Sequence, residues 1–527
     1  MIHPSCLNPV QYQLFRHRLF NVLEEGRIAM KMVSGSPVVV EGGETMSAIY
    51  DAEGTPILVA AGILLHAMGA KDFIRRCIEM YQENPGIHEG DQFFFNDPYI
   101  GGQHLPDMVV VKPIFYQGEL IAWAGSIMHT GETGGIAPGG MPPFATEIFH
   151  EGIKILGLKV VERGKFRLDV FNTIIHQCRA PHLVGLDLKA RIASNNVCAK
   201  NYLLMVEQYG LEFVKQASRK IIEDSELEAR ARLRSLPDGT WRSRHYGDTN
   251  GLTEKPFKVV CTMTKKGDRI TFDYTGSSPQ NEGSLNSTYG ATWGSLFVAL
   301  ASQLFWNIAW NGGMFAPVKL IAPEGTVVNC RYPAAVSTGV ASVGCMITQT
   351  AHECIAKMLY AGGEDEDVNS GWMGGHGNPY FGGINRSGEP IAGVILDTFA
   401  GGTGASPFRD GVHTGANMMN PQSNISDVEM IELNLPILYL YRREATDSGG
   451  FGRFNGGVGG EAAYMAYDAP DFRIGIQGVG SRTPTGHGIF GGYPPGLLDS
   501  VFVRGAAFEK AFHAGRYPGS REEILEL

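Results

Sequence analysis

Helical and strand periodicities alternate along the whole chain. Asn8-Pro9 is a typical helix start, because Asn caps a helix and Pro occupies its first turn. Apolar residues then recur at helical spacing to about Met32. Short β-like runs follow from Met46 to Ala60, a helical pattern returns over 61–82, and 92–130 is typical of strands joined by a hairpin.

The second half of the chain repeats this mixture with more glycine. A long helical pattern runs from about Ala193 to Leu236 with a break near Gly210, and a β-hairpin is predicted around the turn Lys266-Gly267-Asp268. Buried helices are predicted at 293–310 and at 342–360, the latter capped by Ser342. The glycine-rich stretch 362–425 indicates ordered loops around a site, and 428–512 is typical of strands and turns.

These patterns predict an α+β fold: a large mixed chain of several subdomains, with long helices and a hairpin region that carries the chemistry. A chain of 527 residues is too long for one core, so three regions are expected. They are an N-terminal helical and β region (1–236), a central α/β region with Gly-rich loops (237–427) and a C-terminal β-rich region (428–527).

Charge and cysteine content narrow the class of protein. Lys and Arg number 44 against 54 Asp and Glu, and no basic stripe is present, so neither nucleic acid nor a membrane surface is an expected partner. The eight cysteines form no Cys-x-x-Cys pair and are expected to be reduced and buried. Met1 to Cys6 lacks the features of a signal peptide, and no apolar run is long enough to span a membrane, so a cytoplasmic location is expected.

The strongest chemical signal lies between residues 93 and 135. An apolar strand ends in Asn96-Asp97-Pro98, turns through Gly101-Gly102 and then presents His104 and Asp107. If Gln117-Gly118 is the two-residue loop of the next hairpin, His129 lies opposite Pro106, beside Asp107. Pro113 weakens this ladder, so the register can slip by a residue or two.

Two interpretations of this arrangement stay open on the residues alone. Two imidazoles and a carboxylate at a strand end suit a catalytic divalent metal, with Zn or Mn favoured and Fe also tolerated. The alternative is a pair of ordinary hydrogen-bonded histidines beside a turn aspartate. His66 lies in an apolar run and is assigned to the core as a histidine hydrogen-bonded to backbone, whereas His150-Glu151 is a candidate for supporting a ligand by hydrogen bonding.

Standard nucleotide motifs are missing from the chain. It has no Gly-x-x-x-x-Gly-Lys-[Ser/Thr] loop, and the glycines at 486–491 are followed by Pro494-Pro495, which cannot open a helix. We therefore expect that this chain does not itself bind ATP or a dinucleotide through such a motif.

The motifs, taken in order, resemble the hydantoinase B/oxoprolinase family, and the resemblance spans nearly the whole chain. The matching segments are Asn96-Asp97-Pro98, Gly101 to Asp107, His129, Gly134-Gly135-Ile136, Pro138 to Pro143, Glu151-Gly152, Asp187 to Ala193, Phe272 to Gln280, Pro323 to Thr326, Asp447 to Gly450 and Gly456 to Gly459.

The resemblance implies a set of site residues. His104 and His129 would be metal ligands, with Asp107 beside them. The family's early aspartate is Thr45 here, so the neighbouring Glu44 is the nearest side chain that could replace it as a ligand. The family's aspartate three residues after the strand-end histidine is Glu132, and either Glu132 or Asp97 is the expected general base.

The resemblance also implies a function shared with another polypeptide. The leading expectation is a metal-containing subunit of an ATP-dependent cyclic amidohydrolase that opens a hydantoin, oxoproline or lactam ring. A partner ATPase of the hydantoinase A type would bind ATP and phosphorylate the substrate, within a hetero-oligomer. The alternatives are a subunit of a biotin-independent ketone carboxylase of the acetone or acetophenone type, and a non-catalytic scaffold for the ATPase.

Overall fold

A seven-stranded antiparallel sheet from the first third of the chain is the framework for the site. The computed structural model describes residues 7–372 and 375–527. The strand order is β2-β1-β5-β4-β3-β6-β7. The strands are β1 Thr45–Asp51, β2 Pro56–Ala61, β3 Gln92–Phe95, β4 Asp107–Tyr116, β5 Glu119–His129, β6 Leu156–Glu162 and β7 Lys165–Phe166.

Three smaller sheets follow in the chain. A four-stranded sheet has the order β11-β10-β9-β8, a three-stranded sheet the order β13-β12-β16, and β14 pairs with β15. Their strands are β8 Gly239–Gly247, β9 Phe257–Lys266, β10 Arg269–Asp273, β11 Val318–Ile321, β12 His376–Ile384, β13 Pro390–Val394, β14 Ile437–Glu444, β15 Gly460–Ala466 and β16 Asp471–Val479.

Long helices lie mostly in the first 361 residues. The α-helices are α1 Pro9–Val33, α2 Pro37–Val40, α3 Ala70–Tyr81, α4 Leu168–Ile175, α5 Pro181–Tyr209, α6 Leu211–Ser235, α7 Tyr289–Ala299, α8 Gly312–Phe315, α9 Cys345–Ala361, α10 Val428–Asn434, α11 Phe508–His513 and α12 Arg521–Leu525. Within the described ranges, none of them combines the length and the apolar character that crossing a membrane requires.

The large sheet is buried on both faces. Along β4, Val109 and Val111 pack with α3, α7, α9 and the four-stranded sheet, whereas Met108 and Val110 pack toward α4 and α5. Strand β1 divides its side chains in the same way, and Ile49 packs toward α1 and α5. Because both faces are covered, the strands are apolar at nearly every position, and the polar residues at their ends stand out.

Most of the predicted elements are present. Helix α1 starts at Pro9, and the Asn8 side chain accepts hydrogen bonds from the backbone N–H groups of Val10 and Gln11. The break between α5 and α6 lies at Gly210, although α5 begins earlier than expected. The prediction of an α+β fold is confirmed.

Two local predictions were wrong. Ser342 does not cap a helix: the helical segment that continues into α9 begins at Val340, and the Ser342 hydroxyl donates to the carbonyl of Thr338, four residues earlier. The helical segment predicted to reach residue 310 ends at Leu304.

The seven cysteines that the structure describes are free and buried, as expected. The expectation of no signal peptide concerns residues 1–6, which lie outside the described residues. The three predicted regions stay a prediction, although β12 and β16 pair across the expected boundary at 427.

Candidate metal centre

The hairpin of β4 and β5 places two of the predicted ligands opposite each other. Its loop is Gln117-Gly118, and both residues have positive φ (52° and 84°), as a two-residue type I′ turn requires. Asp107 pairs with His129, one residue away from the predicted partner Pro106. The difference arises from a bulge at Ile121, which adds one residue to β5 next to the turn and shifts the rest of the ladder.

The loop before β4 carries His104. The loop turns at Gly102, where φ is 81°. The side-chain amide of Gln103 donates to the backbone carbonyl of Leu65 at 3.0 Å. On the C-terminal side of His104, the backbone carbonyl of Leu105 accepts a hydrogen bond from the side-chain amide of Asn96 at 3.0 Å. The loop is therefore tied down on both sides of His104.

Three donor atoms converge at the end of this hairpin. His104 Nε2 lies 3.2 Å from His129 Nδ1 and 3.2 Å from Asp107 Oδ1, and His129 Nδ1 lies 3.3 Å from Asp107 Oδ1. All three side chains are buried. In the part of the chain that the structure describes, this is the group of His, Cys, Asp and Glu residues whose donor atoms are close enough together to share a metal ion.

A buried arginine braces the strand ends that carry the ligands. Arg191 of α5 donates to the carbonyls of Met108 and Met128, at 2.8 and 2.6 Å, and to the hydroxyl of Thr130. These contacts connect β4 to β5 one residue away from Asp107 and His129. Arg191 belongs to one of the motifs that carry the family resemblance, and its contacts explain why that motif matters to the site.

A second contact chain orients His104. Its Nδ1 lies 2.6 Å from the carbonyl oxygen of Ser337, so this nitrogen carries the proton and Nε2 presents its lone pair to Asp107 and His129. The Glu151 carboxylate accepts hydrogen bonds from the backbone N–H groups of Val336 and Ser337, both at 2.7 Å. Glu151 thus supports a candidate ligand, as predicted, whereas His150 is only half-buried and contacts Thr146.

Burial and mutual charge set the protonation of the cluster. Burial opposes ionisation of Asp107, but the neighbouring histidines outweigh it and hold the pKa of Asp107 well below its usual value. Burial also lowers the pKa of His129, whereas for His104 the attraction of Asp107 outweighs burial and raises the pKa. The cluster therefore contains a carboxylate anion among imidazoles, which suits a cation.

Two further titratable groups line the same cavity. Glu44 is buried there, and burial together with the charge of Asp107 raises its pKa to about 8. His66 Nε2 lies 3.7 Å from Asp107 Oδ1, and neither ring nitrogen of His66 has a hydrogen-bond partner among the described residues. The assignment of His66 to the core as a histidine bonded to backbone was therefore wrong. Its buried position was predicted, but its orientation toward Asp107 was not.

The cavity is small, and distant parts of the chain complete it. Its volume is about 60 Å³. Apolar side chains form much of the wall, and the glycine-rich stretch 362–425, predicted as loops around a site, supplies polar groups to it. The lining includes Val38, Ile63, Leu65, Met141, Val340, Ala341, His376, Asn378, Val394, Phe399, Asn417, Met419 and Asn420.

The two predicted general bases do not line this cavity. Asp97 Oδ1 accepts from the backbone N–H of Tyr99 at 2.9 Å, and its other oxygen lies 3.8 Å from the Lys154 ammonium. Glu132 accepts from the backbone N–H groups of Thr133, Gly134 and Gly139 and from Arg179. Both carboxylates are occupied by contacts within loops, so the geometry does not support a role for either as general base.

The donor set fits a divalent cation. Ligands bonded to Zn²⁺ at about 2.1 Å lie roughly 3.0–3.4 Å apart, which agrees with the three separations in this cluster. Buried polar atoms also remain free beside this group, because His66 keeps both ring nitrogens and His129 keeps Nε2 without a partner among the described residues. Glu44 and His66 lie beside the three donors but outside the group that can share one ion.

Comparison with known proteins places the chain among enzyme subunits. Residues 8–517 match the family model for hydantoinase B/oxoprolinase. The chain is 28% identical over 513 residues to the acetophenone carboxylase delta subunit of Aromatoleum aromaticum, covering 97% of this chain and 74% of that one. It is 27% identical over 467 residues to the caprolactamase subunit beta of Pseudomonas jessenii, covering 86% and 78%.

A solved structure shares the fold over nearly the same range. The nucleotide-free structure of acetone carboxylase superposes with a TM-score of 0.91 at 26% identity, covering 96% of this chain and 68% of that chain. The predicted family resemblance is thereby confirmed. The relatives include both carboxylase and lactamase subunits, so the family comprises more than one reaction.

Proposed function

This chain belongs to the hydantoinase B/oxoprolinase family, and on that premise we propose that it is the metal-binding subunit of an ATP-dependent, biotin-independent ketone carboxylase. In this proposal a partner ATPase subunit of the hydantoinase A type binds ATP. The metal ligands are His104, Asp107 and His129, with Glu44 next to them. The ion is divalent, with Zn or Mn favoured over Fe.

The observation that carries the proposal is the largely apolar cavity next to the three donor atoms. A ketone offers one carbonyl oxygen to the three donor atoms and only hydrocarbon to the rest of the wall, whereas a hydantoin or lactam ring also carries N–H groups that need acceptors. Apolar side chains such as Val38, Met141 and Phe399 suit the alkyl groups of a small ketone.

The extent of the alignments points the same way. The match to the acetophenone carboxylase subunit covers 97% of this chain, and the match to the caprolactamase subunit covers 86%. More of this chain therefore has a counterpart in the carboxylase subunit.

Carboxylation of a ketone requires the stabilisation of negative charge on an oxygen atom. With bicarbonate activated by ATP as carboxyphosphate, the ketone loses a proton from its α carbon and its oxygen gains negative charge. The α carbon then bonds to the carboxyl carbon, and phosphate leaves and takes up the proton. A divalent ion bound in this cavity would supply a Lewis acid for that charge. Val340 and Ala341, the first residues of the helical segment that continues into α9, line the cavity, and the partial positive charge of a helix N-terminus also favours an anion.

The test is an isotope experiment on the complex that co-purifies with this chain. Incubated with ATP, acetone and ¹⁴C-bicarbonate, the complex is expected to place label in acid-stable acetoacetate, and to do so only with ATP. His104→Ala should abolish labelling without changing the subunit composition of the complex. His17→Ala, which removes an exposed histidine on α1, is the matched control.

Two outcomes would contradict the proposal. Undiminished labelling by His104→Ala would favour a scaffold role for the chain. Absence of label, together with ATP-dependent opening of a hydantoin, oxoproline or lactam ring, would establish the second candidate, a cyclic amidohydrolase subunit. The similarity to a caprolactamase subunit favours that candidate next.

A further inference from the structure

His376 and Asn417 lie in the same cavity as the candidate metal ligands but take no part in that cluster. Both come from the glycine-rich stretch: His376 is the first residue of β12, and Asn417 lies in the loop after β13. Both side chains are buried. Because these side chains line one cavity, a molecule that fills the cavity lies next to the three donors and next to His376.

The orientation of Asn417 is set by the backbone. Its Oδ1 accepts a hydrogen bond from the N–H of Met419 at 2.9 Å. Its Nδ2 group must therefore point the other way, and it lies 3.4 Å from Nδ1 of His376. An amide NH₂ group can only donate.

This contact selects the tautomer of His376. Because Asn417 presents a donor, Nδ1 of the imidazole must be the acceptor, and the ring proton lies on Nε2. The Thr398 hydroxyl is 3.4 Å from the same Nδ1 and 3.1 Å from Oδ1 of Asn378, and its proton can serve either acceptor. Asn417 and Thr398 both contact the ring at Nδ1, Asn378 adjoins Thr398 on that side, and no hydrogen bond to Nε2 is formed among the described residues.

The environment also keeps the ring neutral. Burial lowers the pKa of His376 to about 4, so at neutral pH the side chain is an uncharged imidazole with one N–H group. A neutral imidazole donor can polarise a carbonyl and stabilise an enolate without transferring its proton to it.

We propose that His376 binds the substrate oxygen, as a neutral imidazole that donates a hydrogen bond from Nε2 to the carbonyl or enolate oxygen. This inference rests on the proposed function for the identity of the substrate, a small ketone. Asn417 is a positioning residue in this arrangement, because it acts on the substrate through the tautomer of His376.

Three variants distinguish the effect of the hydrogen-bond donor at His376 from the effect of the shape of its side chain. His376→Gln places an amide N–H near the position of Nε2, whereas His376→Leu keeps the bulk and removes the donor. Loss of one such donor lowers kcat by about 10²–10³-fold in enzymes that stabilise an oxyanion, so we expect a loss of that size for Leu and a loss within about tenfold for Gln. Asn417→Asp should lower kcat as much as His376→Leu does, because the new carboxylate accepts a hydrogen bond from Nδ1 and the ring proton then lies on Nδ1 instead of Nε2.

The tautomer is measured independently of turnover. Magic-angle-spinning ¹⁵N NMR of the sedimented complex, with ring-labelled histidine, gives the His376 signal as the difference from His376→Gln. We expect the Nε2–H form in the parent and the Nδ1–H form in Asn417→Asp, with metal content equal in all variants. An Nδ1–H form in the parent, or equal kcat for His376→Leu and His376→Gln, would overturn the inference.

A failure of the proposed function leaves a different signature. If the complex fixes no bicarbonate but opens a ring amide, the same variants are measured in that reaction, where the amide oxygen takes the place of the ketone oxygen. The NMR result and the difference between Leu and Gln then decide the role of His376 by the same criteria.

Discussion

The carboxylate of Glu132 organises a loop. It accepts from three backbone N–H groups and from Arg179, whose guanidinium also donates to the carbonyl of Gly135. A carboxylate that accepts several such bonds stabilises the folded loop by replacing the water that each N–H group would otherwise bind. The loop 131–145 leads directly from His129, so Glu132 affects the site through the backbone.

Glu132→Gln should therefore reduce stability more than it reduces catalysis. The amide keeps one acceptor oxygen and turns an NH₂ group toward backbone donors, so we expect a loss of about 2–4 kcal/mol in the free energy of unfolding. Chemical denaturation measures this loss, with Glu53→Gln at an exposed position as the control. If kcat fell by more than about 10²-fold with unfolding unchanged, Glu132 would act as the general base after all.

Residue types and spacing could predict His104, Asp107 and His129, because imidazoles and a carboxylate at the end of apolar strands have few structural uses. Asp97 and Glu132 have equally suggestive positions in the motifs, but their contacts are with nearby backbone and other side chains, which spacing does not reveal. His66 was misassigned for the opposite reason, since an apolar context predicts burial and says nothing about the direction of the ring.

At the level of elements, a close backbone contact joins the two ends of the loop 131–152, which follows the hairpin. Gly134 and Gly152 form an isolated antiparallel bridge. Gly152 has φ 123° and ψ −156°, and a Cβ atom there would meet the carbonyl oxygen of Thr133 at 2.1 Å. Only glycine tolerates this combination of conformation and contact.

A pair of glycine substitutions tests this contact. Gly152→Ala should lower the free energy of unfolding by about 3 kcal/mol or more, because strained dihedral angles and a backbone clash add together. Gly118→Ala, in the hairpin loop, also has positive φ (84°) but no neighbour within 4 Å, and should cost only about 1 kcal/mol. Equal losses in thermal or chemical unfolding would contradict the role assigned to the bridge.

The hairpin itself was predictable from its two-residue loop and alternating strands, but the register was not. A bulge adds one residue without changing the apolar character of the strand, so no sequence pattern reveals it where both faces are buried. Here the bulge at Ile121 determines that Asp107, rather than Pro106, lies opposite His129.

At the level of the whole molecule, the site depends on contacts between distant parts of the chain. One apolar core joins residues of the large sheet, such as Val109, to Phe297 of α7 and Met346 of α9. The cavity likewise combines residues 38–141 with residues 340–420. Periodicity predicts the elements and the family resemblance predicts one wall of the site, but neither indicates which loops close the cavity, because those contacts are non-local.

A histidine in this core should make stability depend on pH. Burial lowers the pKa of His352 in α9 to about 4, whereas in the unfolded chain it titrates near its usual value of 6.5. Between these values the unfolded state binds one more proton, so this group contributes stability that is complete above about pH 6.5 and is lost as the pH falls toward 4. The loss is about 1.4 kcal/mol per pH unit, or about 3 kcal/mol in total.

His352→Gln should remove this pH-dependent contribution to the free energy of unfolding. The free energy of unfolding of the parent minus that of the variant should fall by about 3 kcal/mol between pH 7 and pH 4, measured by urea denaturation at a series of pH values. His17→Gln, at an exposed position, should leave the slope of the parent unchanged. Parallel curves for the parent and His352→Gln would show that the buried ring is protonated in the folded state.

The most direct measurement is the metal content of the complex, purified without added metal and analysed by mass spectrometry of the elements. The account predicts about one divalent ion per copy of this chain in the parent and in His17→Ala, and at least about tenfold less in a double variant His104→Ala/His129→Ala that remains folded. A double variant with the same metal content as the parent, or a metal-free parent with full ATP-dependent activity, would contradict it.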